Sequence, residues 1–536
     1  MLPLALAGGS LYAGRDPGPL PPLRILGGNM AEPLVLHETD NVAILTERTP
    51  AGSDPLHLGA PLPQAVSGGH KIARRPIPSG GAVMKFGQII GHATADIAAG
   101  AHVHSHNCAF SAHDTDYKIG ADLAIARAAV PALPPRSFRG YRRAGGQTGT
   151  RNYIALCATV NCSATVIRRA AWEIEASGLL DDYPNVDGIV AFAHGTGCGM
   201  AAEGRGFDIL QRVLWGHATH PNVGAAIFVG LGCEVMQIAR MKQAFGDAAA
   251  DRFHGLTIQE TGGTRATIAS IKAKVAELLP EVNRARREDC PASALKLALQ
   301  CGGSDGYSGI TANPALGVAS DLLVGLGGTA ILSETPEIYG AEQLLLRRAA
   351  DEETAARLIR CIRWWEDYTA MNGGSMDNNP SPGNKAGGLT TILEKSLGAA
   401  AKGGSTPLAA FYDYAEQVTK PGFVFMDTPG YDPVSATGQI AGGAQIVVFT
   451  TGRGSAFGSK PAPTIKVATN TALFRSMPED MDINCGDILT EGRTLQEKGA
   501  EILDRILAVA SGEASKSEAL GLGDNEFVPW QVGAVM

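Results

Sequence analysis

Short apolar runs broken by Gly and Pro come first along the chain: VAILTE at 42–47, KIARRPI at 71–77, AVMKFGQIIGHA at 82–93 and GAHVHSHN at 100–107. Strands this short and this often interrupted predict a small all-β module over 36–112. From 138 the pattern changes. YIALCATV (153–160), GIVAFAH (188–194) and AAIFVGLG (225–232) are each followed by a helical stretch, at 163–176, 209–215 and 236–245. Apolar strands alternating with helices predict a parallel sheet, here in a central α/β domain over 138–282. The alternation continues through LKLALQ (295–300), TAILSE (329–334), FVFMD (423–427), IVVFTT (446–451) and TIKVA (464–468). Helices are expected at 315–324, up to about 368, and at 502–509. Residues 283–536 therefore read as a second parallel-sheet domain.

Between these blocks, AVPALPP at 129–135 reads as semi-rigid linker within 113–137. The charged NRARRED at 283–289 marks the next boundary. The first 29 residues lack a basic leading region, and Gly and Pro interrupt their apolar run, so no secretory signal is predicted. Residues 1–35 are expected to be a disordered extension. No run of about 18 apolar residues occurs, so no membrane span is expected.

Composition narrows the class. With 45 Lys and Arg against 53 Asp and Glu, the net charge is −8, and no long basic stripe occurs, which argues against nucleic acid as a partner. Charged residues make up 18% and hydrophobic ones 45%, with 67 glycines, which excludes a disordered chain and implies many tight turns. Nine cysteines, an odd number spread through a long chain, do not form a secreted disulfide framework. A reducing cytoplasm is expected, with thiols free for metal or chemistry.

In open α/β sheets, ligands bind at the carboxyl ends of strands. The residues following the expected strands are Asn161-Cys162-Ser163, His194 to Gly199, Gly232-Cys233-Glu234, Cys301 to Gly306, Glu334 to Glu337, and Thr451 to Gly454. Four of the nine cysteines fall at such ends, three of them in glycine-flanked turns where backbone can approach a ligand. Each could equally be a small buried apolar residue.

Three of the 12 histidines alternate as His102, His104 and His106. On a strand these positions share one face, and imidazole is the commonest metal-ligating side chain. A solvated edge is the plainer alternative. The loop NNPSPGNKAGG at 378–388 is long for a connector and carries Lys385. Arg453, in a glycine-flanked turn, suits a bidentate carboxylate contact. GSAFGSK at 454–460 fails the spacing of a phosphate loop, and GTGCG at 195–199 fails the dinucleotide fingerprint.

Several long stretches, GYRRAGGQTGTRN (140–152), HGTGC (194–198), GLGCE (230–234), QCGGSDGYSGITANPALG (300–317), NPSPGNKAGG (379–388) and FTTGRG (449–454), resemble the altronate/galactarate dehydratase family. DIAAGAHVHSHN and ETPEIYGAEQLL look like its altronate branch. The resemblance implies an N-terminal SAF-type β-clip, a central α/β dimerisation domain and a C-terminal Rossmann-like catalytic domain, in a homodimer. It implies an enzyme that dehydrates a sugar acid such as D-altronate to its 2-keto-3-deoxy acid, with Fe2+, or Mn2+ in its place. Galactarate is the alternative substrate, and a non-catalytic sugar-acid sensor the alternative role. A nicotinamide oxidoreductase is disfavoured by the missing fingerprint.

His104, His106, Cys198, Cys233 and Cys301 are the expected metal ligands. An iron–sulfur cluster on Cys162, Cys198, Cys233 and Cys301 competes with that arrangement, since thiolates favour such centres. His194, Lys385 and Glu334 are expected to transfer protons. Arg142, Asn152, Ser304, Asp305, Asn313, Asn384 and Arg453 are expected to bind the substrate.

Overall fold

Runs that are apolar without a break become strands covered on both faces, and the chain builds its cores around them. The computed structural model describes residues 32–111, 117–245, 253–533 and 535. Residues 1–31 of the expected extension lie outside these. The β module begins before residue 36, because Leu34 is buried and bridges Ile44.

Strands β1 (Val42–Ile44), β2 (Lys71–Ala73), β3 (Ala82–Lys85), β4 (Gln88–Ala93), β5 (His102–Val103) and β6 (Cys108–Ala109) form two antiparallel three-stranded sheets, β1-β2-β5 and β3-β4-β6. They make up the SAF-type β module that the resemblance implies. Its core of Val42, Val83, Ile90 and Val103 continues into Leu397 and Ala400 of the C-terminal domain, so the module is packed onto its neighbour. Of the expected linker, 113–116 lie outside the described residues, while Asp122 is anchored by Arg347, with Nε to Oδ2 2.6 Å.

In the central region the strands are β7 (Ser137–Arg142), β8 (Thr148–Gly149), β9 (Tyr153–Ala158), β10 (Gly188–Phe192), β11 (Val223–Gly230), β12 (Phe253–Thr257) and β13 (Glu288–Pro291). A parallel sheet runs β10-β9-β11-β12. In β9, Ile154, Leu156 and Ala158 face one core while Ala155 and Cys157 face the other, which is why the strand reads as continuously apolar. The charged stretch at 283–289 leads into β13, which pairs antiparallel with β7.

The third sheet is formed by β14 (Lys296–Cys301), β15 (Thr329–Leu332), β16 (Leu408–Tyr412), β17 (Gly422–Met426), β18 (Ile446–Thr451), β19 (Thr464–Ala468) and β20 (Ile483–Asn484). Its seven parallel strands lie in the order β16-β17-β15-β14-β18-β19-β20. The chain leaves β14 in one direction and resumes at β18 on the other side. That reversal opens a crevice at the carboxyl ends of β14 and β18. Among the described residues no helix is long and apolar enough to cross a membrane.

Candidate active site

β14 ends in Cys301-Gly302-Gly303, and Gly302 admits no side chain: a Cβ there would lie 2.3 Å from the Asp432 carboxylate and 2.4 Å from the Phe449 ring. β15 leads into Glu334, a left-handed non-glycine residue at φ 69° and ψ 64°. Its N–H donates to Thr428 Oγ1 at 2.8 Å, and the Thr335 N–H donates to the Thr428 carbonyl at 2.9 Å. Such strain costs about 1–3 kcal/mol and persists where the surroundings enforce it. The following turn, Thr335–Ile338, swings Glu337 back beside Glu334.

The result is a buried knot of charge. Lys402 Nζ lies 2.9 Å from Cys301 Sγ and 3.3 Å from Glu334 Oε2. Cys301 Sγ is 3.7 Å from Glu337 Oε2. Glu337 Oε1 accepts from Lys395 Nζ at 2.7 Å and from Asn379 Nδ2 at 2.8 Å, and Lys395 also donates to Asn379 Oδ1 at 2.6 Å. Burial, then repulsion from Glu337, pushes the Glu334 carboxyl well above its ordinary range. Burial works the same way on Glu337, but Lys395 and Lys402 outweigh it and hold that carboxyl below its usual range. Burial drives the Cys301 thiol up to about 12 against the pull of Lys402. Desolvation and Glu337 push Asp432 up to about 7.

Among the described residues, Cys301, Glu334 and Glu337 are the His, Cys, Asp or Glu side chains whose donor atoms gather, all within 4.8 Å of one another. Glu334 Oε1 is buried without a hydrogen-bond partner. One orphaned oxygen, one thiol and a second carboxylate fit a divalent cation. Beside Cys301 lies a cavity of about 10 Å³, lined by Lys85, Ser304, Asp305, Asn313, Glu394 and Lys395. It has room for roughly one water. Lys85 comes from β3, so the SAF domain forms one wall.

Several expected site residues are placed differently. His194 is buried in the central domain. Its Nδ1 accepts from the Thr196 N–H at 3.2 Å, so Nε2 carries the proton given to the Ala158 carbonyl at 2.9 Å. Both nitrogens are committed to backbone, and proton transfer to a substrate is not open to this ring. Arg142 is exposed and paired with Glu288 at 2.9 Å. Asn152 bonds Arg143, Asn185 and Val282 inside the central domain. Asp305 lines the cavity, but its carboxylate is taken by Thr469 (3.1 Å), Ser308 and Asn470, fastening the 302–308 turn. Asn313 ties Thr450 to Gly398. Asn384 accepts from Lys395 at 3.5 Å and donates to the Ser304 carbonyl at 2.9 Å, so both border the cluster. Arg453 is exposed beside Gly303, and Lys385 is half-buried. The lysines of the cluster are Lys395 and Lys402.

The expected metal ligands do not converge on Cys301. His102 begins the predicted strand, but the chain turns at His104, where the Asn107 N–H donates to the His104 carbonyl at 2.9 Å. The imidazoles gather all the same, joined by His70: rings 70–102, 70–104, 102–104 and 102–106 lie 5.2, 5.2, 5.5 and 5.5 Å apart. They face the short helix Pro382–Ala386, where His104 Nε2 donates to the Lys385 carbonyl at 2.8 Å, and His104 Nδ1 meets Ser105 Oγ at 2.9 Å. Cys198 and Cys233, like Cys162, are exposed at the rim of the central sheet, whereas Cys301 is buried in the C-terminal domain.

The buried histidines of the central domain carry a pH prediction. Burial lowers His194 and His217 to about 4 and His220 to about 3. Each folded-state value is below the unfolded one near 6.5, so the unfolded chain binds more protons in between. Stability should therefore be full above pH 6.5 and fall as pH drops toward 4, by about 1.4 kcal/mol per pH unit per proton withheld. Melting temperatures from pH 8 to 5 check this. A flat profile contradicts it.

Glu337, Lys395, Lys402 and Asp432 escaped the sequence reading as functional residues. The available signal was ILEKSLGAA at 392–400, a helix every residue of which is buried, with a charged pair inside an otherwise small and aliphatic run.

Three family models match this chain: an altronate/galactarate dehydratase SAF domain at 31–111, the second domain of D-galactarate dehydratase/altronate hydrolase at 140–283, and the C-terminal domain of D-galactarate/altronate dehydratase at 292–535. An altronate dehydratase of Bacillus subtilis (strain 168) is 36% identical over 489 residues, covering 90% of this chain and 96% of the relative. An altronate dehydratase of Escherichia coli (strain K12) is 36% identical over 494 residues, covering 90% and 96%. A galactarate dehydratase (L-threo-forming) of the same strain is 37% identical over 492 residues, covering 89% and 92%.

Proposed function

This chain belongs to the altronate/galactarate dehydratase family of hydro-lyases, and from that premise we propose that it dehydrates D-altronate to the 2-keto-3-deoxy acid in the cavity beside Cys301. The observation that carries this reading is the convergence of Cys301, Glu334, Glu337, Lys395 and Lys402, all buried, next to the crevice where the sheet order reverses.

The reaction removes the C2 proton and the C3 hydroxyl, and the resulting enol rearranges to the keto acid. Cys301, Glu334 and Glu337 would hold Fe2+ or Mn2+, which when bound supplies a Lewis acid for the substrate's oxygens. Lys395, held as an ammonium by Glu337, lines the cavity and is placed to give a proton to the departing hydroxyl, which leaves as water, and the C2 proton restores the ammonium. The guanidinium of Arg453, exposed beside Gly303, attracts the substrate carboxylate, and Ser304 and Asn384 border its path. The cavity as it stands admits nothing of substrate size, so substrate entry requires the SAF-domain wall that carries Lys85 to move outward. The nine unpaired cysteines fit a reducing cytoplasm.

The test is anaerobic incubation of iron-loaded protein with D-altronate, galactarate and related acids, without nicotinamide. Keto-acid formation fastest from D-altronate is expected, with iron near one per chain and no acid-labile sulfide. Binding without product would leave the sensor reading instead. Faster turnover of galactarate would move the substrate to the aldarate class. Arg453→Ala should raise KM about tenfold, the size of one lost charged contact, with little change in kcat. An unchanged KM removes Arg453 from substrate binding.

A further inference from the structure

Away from the catalytic cluster, a cleft of about 450 Å³ opens between the central and C-terminal domains. That is within the range of small-molecule sites, which favour such domain boundaries. Arg205 and Arg212 reach it from two turns of the helix Arg205–Ala218. Arg357, Arg360, Cys361 and Trp364 reach it from one face of the helix Glu352–Met371, at the three- and four-residue spacing that aligns side chains. Phe411 lies at the end of β16, and Asp413 and Asp427 follow the carboxyl ends of β16 and β17, where ligands of parallel sheets sit.

Four guanidinium groups thus face two lining carboxylates, with Glu416 at 3.2 Å from Arg357 and Glu353 at 3.5 Å from Arg360 as their outer acidic partners. The carboxylates are already engaged. Asp413 pairs with Arg357 at 3.2 Å, and Asp427 with Arg205 at 3.1 Å. Arg360 has a long, exposed contact to Glu353 at 3.5 Å. Arg212 Nε is buried with no hydrogen-bond partner. An unpaired guanidinium nitrogen kept from water calls for an acceptor, and the donors around it suit an anionic oxygen cluster.

The floor of the cleft leads to the catalytic turn. Asp427 Oδ1 accepts from Thr335 Oγ1 at 2.7 Å and from Trp365 Nε1 at 2.8 Å, and Thr335 follows the strained Glu334. We propose that this interdomain cleft binds a small, doubly charged oxyanion through Arg205, Arg212 and Arg360, and that its filling is transmitted through Asp427 and Thr335 to Glu334. An anion that draws Arg205 from Asp427 changes the charge on the carboxylate that fixes the Thr335 side chain.

Metal-loaded full-length protein would be titrated with sulfate, standing for a phosphate ester, and separately with succinate, standing for a dicarboxylate, against chloride at matched ionic strength. Tryptophan fluorescence reports directly, because Arg205 lies 3.9 Å over the Trp364 ring. Saturable binding of one anion per chain is expected, weakened about tenfold or more in Arg212→Ala/Arg360→Ala and retained in Lys395→Met. Preference for sulfate assigns the natural ligand to phosphate esters, and preference for succinate to dicarboxylates. The double variant should keep its turnover in chloride and lose the anion's effect on kcat or KM. No saturable response beyond chloride, or equal binding by the double variant, overturns the site. Binding that leaves kcat and KM untouched overturns the link to Glu334.

Discussion

Lys395→Met should reduce keto-acid formation by about 10²- to 10⁴-fold, the usual contribution of a positioned proton-transferring group, while the protein stays folded. Methionine fills the same volume without an ammonium, and Glu337 keeps its hydrogen bond from Asn379 Nδ2 at 2.8 Å. The comparison to make is kcat at saturating substrate, with thermal melts of both proteins to show that the fold stands. If turnover persists at the wild-type level, the proton passes through another group, and Lys385, half-buried in the short helix Pro382–Ala386, becomes the group to replace.

Glu394→Ala should give the largest loss of stability, about 3–5 kcal/mol, because it strips the partner from a buried charge. Glu394 Oε2 lies 2.8 Å from Lys71 Nζ and Oε1 lies 2.8 Å from Lys85 Nζ, with side chains 0%, 0% and 2% exposed in the order Glu394, Lys71, Lys85. Both lysines come from the SAF domain and the carboxylate from the C-terminal domain. Lys71 and Lys85 outweigh burial and hold the Glu394 carboxyl far below its ordinary range. A depressed carboxyl contributes stability that is present above its unfolded value near 4.3 and is lost as pH falls below it. In the variant, limited proteolysis should release the SAF domain at temperatures where the wild type resists. Glu394 adjoins Lys395, so the clasp that docks the module also closes the cavity, and turnover should fall with it. Wild-type melting and wild-type protease resistance in Glu394→Ala would dismiss the clasp.

Interior strands were legible in the sequence because both of their faces are buried, as in β9, β14 and β18. Among the strands it concealed, β12, β16 and β20 are at the edges of the two parallel sheets, where one side needs no neighbour and the apolar run can be short or interrupted. Reading the residues after each strand located Cys301 and Glu334, since the carboxyl edge of a parallel sheet is a property of the chain direction. The same rule pointed to Cys198 and Cys233, which are at the edge of a different sheet. Strand ends are written locally, but which ends share a crevice depends on how the two sheets pack. Lys395 and Lys402 enter the site from a helix and the turn after it, brought in by tertiary contact, so no strand rule could find them. The histidine spacing foretold a cluster and missed His70, whose partnership arises from the pairing of β2 with β5.

The most direct test of the catalytic centre is keto-acid formation from D-altronate by Cys301→Ser beside Cys198→Ser/Cys233→Ser, each loaded anaerobically with iron. Cys301→Ser is expected to lose activity while the double variant turns over at close to the wild-type rate. Activity surviving in Cys301→Ser and vanishing in the double variant would put the chemistry at the rim of the central sheet and contradict a centre on Cys301, Glu334 and Glu337.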